Sequence, residues 1–198
     1  MMQQTALAQD RSLLASSSRR FALVIGATAF VALCAHISIP LGFTPVPITL
    51  QPFAVLLLGL LLTPRDSFAA MTVYLLEGAA GMPVFSPHGP GGVAQLFGFS
   101  GGYLLAAPFA AAVAGLLYRA CKQRAWAAFA GAAVGDLILL TTGALWLEAL
   151  THANVSTLLN VSVVPFLVSD AAKVIAAAGC ALIFRSFSTR SSSRAQQN

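Results

Sequence analysis

Six apolar runs dominate this 198-residue sequence, at about 21–39, 50–62, 67–80, 101–118, 125–147 and 163–187. A helix needs roughly 20 apolar residues to cross about 30 Å of hydrocarbon, and most of these runs reach or approach that length. Only 9% of the residues are charged, against about 25% in a soluble domain. Inside a bilayer every backbone polar group must be satisfied within the protein, which favours helices for runs of this kind. The expected fold class is therefore an all-α membrane protein, a bundle of six transmembrane helices. The second and third runs are short for spans and are split by "TPRD", where Thr63-Pro64 ends one helix and the proline opens the next.

The basic residues orient the bundle. Arg11, Arg19 and Arg20 precede the first run, and Arg65 lies between the second and third. Arg119, Lys122 and Arg124 separate the fourth and fifth, and Arg185, Arg190 and Arg194 fall at or beyond the end of the sixth. With both termini in the cytoplasm of a bacterial cell membrane, ten of the eleven Lys and Arg residues are cytoplasmic, the positive-inside pattern. Their location argues for a lipid bilayer and not nucleic acid as the partner of the +5 charge. The Ser-rich ends, 1–19 and 188–198, are expected to be disordered cytoplasmic tails around a membrane domain over 20–187. The arginines before the first run imitate an export signal, but five more runs follow, so it is read as the first span. Cys34, Cys121 and Cys180 have neither disulfide nor metal spacing.

The segments assigned to the outside are poor in charge and rich in Gly and Pro. "IPLGFTPVPITLQPF" has four prolines in fifteen residues, which makes it stiff and extended. "GAAGMPVFSPHGPGGVAQLFGFSGGYL" mixes glycine with Val84, Phe85, Leu96, Phe97 and Phe99. A long apolar loop of this kind packs back onto the membrane domain, either as a lid over a ligand or as a stabilising cap. In the first run Ala22, Gly26, Ala29 and Ala32 recur three or four apart. Such spacing serves close packing inside a bundle or docking of a partner helix.

The sixth run contains the sharpest feature, Asp170 and Lys173 one helical turn apart. Each charge at mid-span costs roughly 2.5–3.5 kcal/mol on insertion scales. From the helical rise they lie ~8 and ~12 Å below the outer end of the helix, on one face. Two readings stand, an ion pair that fixes packing and a polar ligand site. Gln51, Glu77, Gln95 and Asn160 come to the same outer layer, whereas Asp136 sits near the middle of the fifth run, structural or functional. His36 reads as a packed helix end, His88 and His152 as solvated, and no metal-ligand spacing appears. "GFSG" around Ser100 fits the serine motif of intramembrane proteases, but the available base, His152, lacks a helical core context. No G-x-x-x-x-G-K-[ST] is present for ATP, and no cofactor is expected.

The segments "TPVPITLQPFAVLLLGLLLTPRDSFAAMTVYLLEGAAGMPVFSPHGPGGVAQLFGFSGGYLLAAPFAAAVAGLL" and "VVPFLVSDAAKVIAAA" resemble the BioY family, biotin-binding S components of energy-coupling factor (ECF) transporters. The combination of V-P-I-T-L-Q, G-x-P-V-F, G-G-Y-L and P-F-x-x-x-D-x-x-K carries the resemblance. It implies a six-helix bundle with an outer site under loops, high-affinity capture of biotin, and no chemistry on the ligand. It also implies an ECF transmembrane coupling protein and ATPase subunits as partners, docking on Ala22, Gly26, Ala29 and Ala32. Asp170 would accept from the ureido N–H groups, and Lys173 would donate to the ureido carbonyl or the carboxylate. Gln51, Glu77 and Tyr103 are further candidates for hydrogen bonds, Val84 and Phe85 for apolar contact. One departure stands out: many relatives read G-P-T-G-G-Y-L where this chain has Gly98-Phe99-Ser100-Gly101-Gly102-Tyr103-Leu104. Losing the proline should loosen that end of the loop. A competing reading is an ion-coupled secondary transporter of a vitamin-like solute, with Glu77, Asp136 and Asp170 as a proton path.

Overall fold

The computed structural model describes the backbone of residues 2–195 and the side chains of 18–154 and 156–187. Its helices are α1 (Met2–His36), α2 (Gln51–Leu61), α3 (Pro64–Ala79), α4 (Gly92–Leu96), α5 (Gly101–Ala120), α6 (Ala125–Thr151), α7 (Val155–Ser162) and α8 (Val164–Ala195). Among the described residues four stretches are long and apolar enough to cross a membrane: Ser18–His36, Gly101–Ala120, Ala125–Thr151 and Val164–Phe187. Helical backbone continues through most of the expected tails, because an existing helix propagates without a new nucleus. The expectations for residue 1 and for 196–198, and for the side chains of 1–17 and 188–198, lie outside the described residues.

The short pair α2 and α3 forms as the punctuation predicts. The Thr63 hydroxyl oxygen accepts the Asp66 backbone N–H at 3.1 Å and donates to its carboxylate at 2.7 Å, with Pro64 opening α3. Helix α2, only 11 residues, is the hub, packed on α1, α5, α6 and α8. Between α1 and α2 the chain adds a two-stranded antiparallel hairpin, β1 (Ser38–Ile39) with β2 (Ile48–Thr49), to an architecture expected to be wholly helical. Pro40, Pro45 and Pro47 lie between its strands and have no N–H to extend the ladder.

Size sorts the side chains in the sense opposite to a soluble protein. Buried positions on α5, α6 and α8 are largely alanine: Ala106, Ala107, Ala110, Ala111, Ala127, Ala128, Ala177 and Ala178. Large apolar groups such as Leu33, Phe109, Leu145, Val168 and Ile175 face outward. Lipid solvates those groups as well as protein would, so association rests on close backbone approach between small residues. One tight seam joins α2 to α5. A Cβ on Gly59 would stand 2.5 Å from the Ala111 carbonyl oxygen, and one on Gly115 would collide with the Gly59 carbonyl. The stripe on α1 behaves otherwise. Ala22, Gly26 and Ala29 are exposed and Ala32 is half-buried, and a Cβ on Gly26 would meet nothing within 4 Å.

This contrast is testable by thermal unfolding in detergent. Gly59→Val should cost about 1–3 kcal/mol through overpacking, which lowers Tm by about 2–4 °C per kcal/mol in a chain of this size. Gly26→Val should leave Tm within about 1 °C of wild type. Equal effects of the two would contradict the packing described.

Candidate functional site

A cavity of ≈ 250 Å³ opens at the end of the bundle where α2, α5 and α8 begin. Its wall is mostly apolar, with Val46, Val55, Leu104, Leu139 and Phe166, and it carries two carboxyl groups and one amine from the helices, those of Asp136, Asp170 and Lys173. Pro45 and Pro47 of the hairpin loop and Ser86, His88, Gly89 and Pro90 of the α3–α4 loop close the sides. The Gly- and Pro-rich segments thus lie against the helices as cavity wall.

The charged floor comes from α8. Phe166, Asp170 and Lys173 follow one another at helical spacing and share the face that meets the cavity. Lys173 Nζ donates to Asp170 Oδ1 at 2.8 Å, and the residues are only 6% and 7% exposed. The Ser169 hydroxyl, which donates to the Phe166 carbonyl at 3.0 Å, lies 3.4 Å from the same oxygen. Held as a pair, the charges neutralise each other in a setting where either alone would be strongly unfavourable. Asp136, from α6, reaches the same cavity half-buried and makes no hydrogen bond to another described residue. Gln51, at the start of α2, also faces the cavity with its amide unengaged by described residues.

Tyr103 presents its ring to the cavity while its hydroxyl donates to the Ser162 carbonyl at 3.1 Å. Its ring centroid lies 6.3 Å from that of Phe166, and it sits against Gly143, where a Cβ would strike the ring. The hydroxyl thereby ties α5 to the α7–α8 junction and keeps a lone pair for a further donor.

Three expected contacts lie elsewhere. Glu77 accepts from the Thr28 hydroxyl at 3.2 Å on the α1–α3 seam and does not line the cavity. Phe85 packs edge-on against Tyr74, centroids 5.4 Å apart, over Gly78. The Val84 carbonyl accepts the Tyr74 hydroxyl at 2.9 Å. Val84 and Phe85 therefore anchor the α3–α4 loop behind the wall. Position along the chain does not give direction around the bundle.

Gln95 has the opposite history. Its position in the loop gave no role, yet it is 3% exposed and clamps the loop from within. Its Oε1 accepts the Gly91 N–H at 3.1 Å and its Nε2 donates to the Ser86 carbonyl at 3.2 Å. Phe166 could have been found from its spacing to Asp170, whereas Ser86 carries no sequence signal. Asn160 bonds only its own helix, donating to the Ser156 carbonyl at 2.9 Å. His36 caps its helix end on the Ala32 carbonyl at 2.8 Å, and exposed His88 contacts the Ser38 hydroxyl at 3.0 Å at the cavity rim. Ser100 also lines the cavity without a hydrogen bond to any described histidine, and His152 ends α6 exposed, in a left-handed conformation.

The fold and cavity define a multi-pass helical membrane protein with a small-solute site at one end of its bundle. The family model described as BioY matches residues 3–190, and the chain belongs to the BioY family. It is 35% identical over 160 residues to a probable biotin transporter BioY of Pyrococcus horikoshii, covering 81% of this chain and 92% of that protein. It is 39% identical over 155 residues to the biotin transporter BioY of Thermotoga maritima, covering 78% and 89%. A crystal structure of the S component for biotin from an ECF-type ABC transporter superposes with a TM-score of 0.79 at 26% identity, covering 86% of this chain and 93% of that one.

The ion pair makes a prediction independent of any ligand. Asp170→Asn and Lys173→Met should each destabilise the protein by about 3–5 kcal/mol, since each strands the opposite charge. The double variant should recover most of that loss. Additive losses in thermal unfolding would show that the two residues are not coupled.

Proposed function

We propose that this chain captures biotin at high affinity and serves as the substrate-specific subunit of an ECF-type ABC transporter. The observation that carries the reading is the Asp170–Lys173 pair facing a mostly apolar, vitamin-sized cavity. Biotin offers two ureido N–H donors, a ureido carbonyl, an apolar thioether ring and a carboxylate on an aliphatic tail. In this reading Asp170 accepts from the ureido N–H groups and Lys173 donates to a ligand oxygen. Gln51 and the free lone pair of Tyr103 add hydrogen bonds, and Phe166 and Leu139 sheath the ring. Glu77, Val84 and Phe85 support the site from behind it. Charge-assisted hydrogen bonds contribute about 1.5–3 kcal/mol each. Two or three of them with apolar burial bring nanomolar binding, about 12 kcal/mol, within reach.

The membrane arrangement belongs to the same proposal. Six helices (α1, α2, α3, α5, α6 and α8) cross the bilayer, the shorter α2 and α3 being accommodated by protein packed around their ends. Both termini lie in the cytoplasm, so that the cavity opens outward. Binding involves no chemistry, and the energy for uptake comes from ATPase subunits acting through a transmembrane coupling protein. The exposed face of Ala22, Gly26 and Ala29, with half-buried Ala32 at its end, supports docking of that protein, because small residues left outside a bundle allow a second helix close approach. The proton-path alternative loses one of its three members, since Glu77 lies on the α1–α3 seam and not in the cavity that Asp136 and Asp170 share.

Thermal unfolding in detergent with and without biotin tests the reading. Biotin held at 100 times its Kd should add about 2.7 kcal/mol to wild type. The same biotin concentration should leave Asp170→Asn and Lys173→Ala unshifted. Wild type that does not respond to micromolar biotin would exclude high-affinity capture.

A further inference from the structure

Among the described residues one buried side-chain polar atom has no hydrogen-bond partner, the hydroxyl oxygen of Ser86. Ser86 is 8% exposed and forms part of the cavity wall. Everything around that hydroxyl is held. The Ser86 carbonyl accepts from Gln95 Nε2 at 3.2 Å, Phe85 is wedged against Tyr74, and the Val84 carbonyl accepts the Tyr74 hydroxyl at 2.9 Å. The backbone over 84–86 is therefore fixed, and rotation between staggered χ1 positions is the freedom left to the side chain. An enclosed hydroxyl without a partner is unfavourable, and an acceptor brought by a ligand removes that penalty.

We propose that Ser86 is a ligand-binding residue whose hydroxyl donates a hydrogen bond to the carboxylate of the bound molecule. The inference rests on the biotin reading above and extends it to the tail of the ligand. Charge decides which end of the ligand Ser86 meets. The α6 and α8 wall carries two carboxyl groups, Asp136 and Asp170, against one ammonium, Lys173. An anionic group is disfavoured there, whereas ureido N–H donors are favoured. The loop wall, with Ser86, His88, Gly89 and Pro90, contains no acidic residue. The tail carboxylate thus belongs with the loop, and Lys173 is left to the ureido carbonyl.

The test is Ser86→Ala in the full chain, with Kd measured for biotin and for an analogue ending in a methyl group in place of the carboxylate. Biotin should bind the variant about 10-fold more weakly, equivalent to about 1.4 kcal/mol, and the analogue should change by less than about 2-fold. Tm without ligand should stay the same or rise, because the variant removes an unsatisfied hydroxyl. Unchanged biotin binding overturns the proposal, as does an equal loss for both ligands, which would place Ser86 at the ring. A variant that folds poorly without ligand overturns it as well, by making the hydroxyl structural. Failure of wild type to bind biotin is a different result and overturns the biotin reading first.

Discussion

The structure depends on keeping an ammonium and a carboxylate together in an interior with almost no other charge. Lys173 and Asp170 sit 2.8 Å apart with 6% and 7% of their surface exposed. Their spacing on one helix makes the pair intrinsic to α8, so it forms wherever that helix forms. What the rest of the bundle supplies is a place for it. The pair must face protein and not lipid, and the bundle must leave a polar-tolerant space at that depth. The cavity is that space. Because the pair is already desolvated, a ligand that replaces part of its mutual attraction need not strip water from two fully hydrated ions.

A site held this way needs rigid walls, and the protein makes them by two different means. The helical wall is stiff because α2, α5 and α6 meet through glycine and alanine, with backbone against backbone and little side chain to rearrange. The loop wall is stiff because three of its backbone carbonyls are tied to side chains. Tyr74, Gln95 and Trp146 each donate to a loop carbonyl, those of Val84, Ser86 and Gly98. An apolar loop built this way presents few free backbone groups to the cavity it closes.

How much of this was legible in the sequence follows from the same physics. Apolar length and proline punctuation are one-dimensional signals, so the bounds of α2, α3, α5 and α6 lie close to the expected runs, whereas α1 and α8 run on into the expected tails. The Asp170–Lys173 pair was legible because both residues share one helix. Glu77, Val84 and Phe85 do not line the cavity, and spacing along the chain gave no direction around the bundle from which to tell. The α1 stripe shows the same limit: spacing alone left packing inside the bundle and docking outside it open, and the exposure of Ala22, Gly26 and Ala29 could not be read from it. The hairpin went unread because a two-residue ladder between prolines has no periodicity to detect.

The departure at Phe99-Ser100 shows how the two walls share the work. A proline there would fix one φ by covalent geometry, and its loss was expected to loosen the loop end. In the fold the residue just before the departure is held by other means. The Gly98 carbonyl accepts the Trp146 indole N–H at 2.9 Å and the Gly101 N–H at 3.0 Å. The first bond reaches 48 residues along the chain to α6, and the second closes the turn into α5. Gly101 and Gly102 permit that closeness, because a Cβ on either would collide with neighbours that include Trp146. A tertiary hydrogen bond thus does what a local ring constraint would do, and Tyr103 follows immediately at the start of α5. The loop end is thereby held to α6, the helix that also carries Asp136 into the cavity.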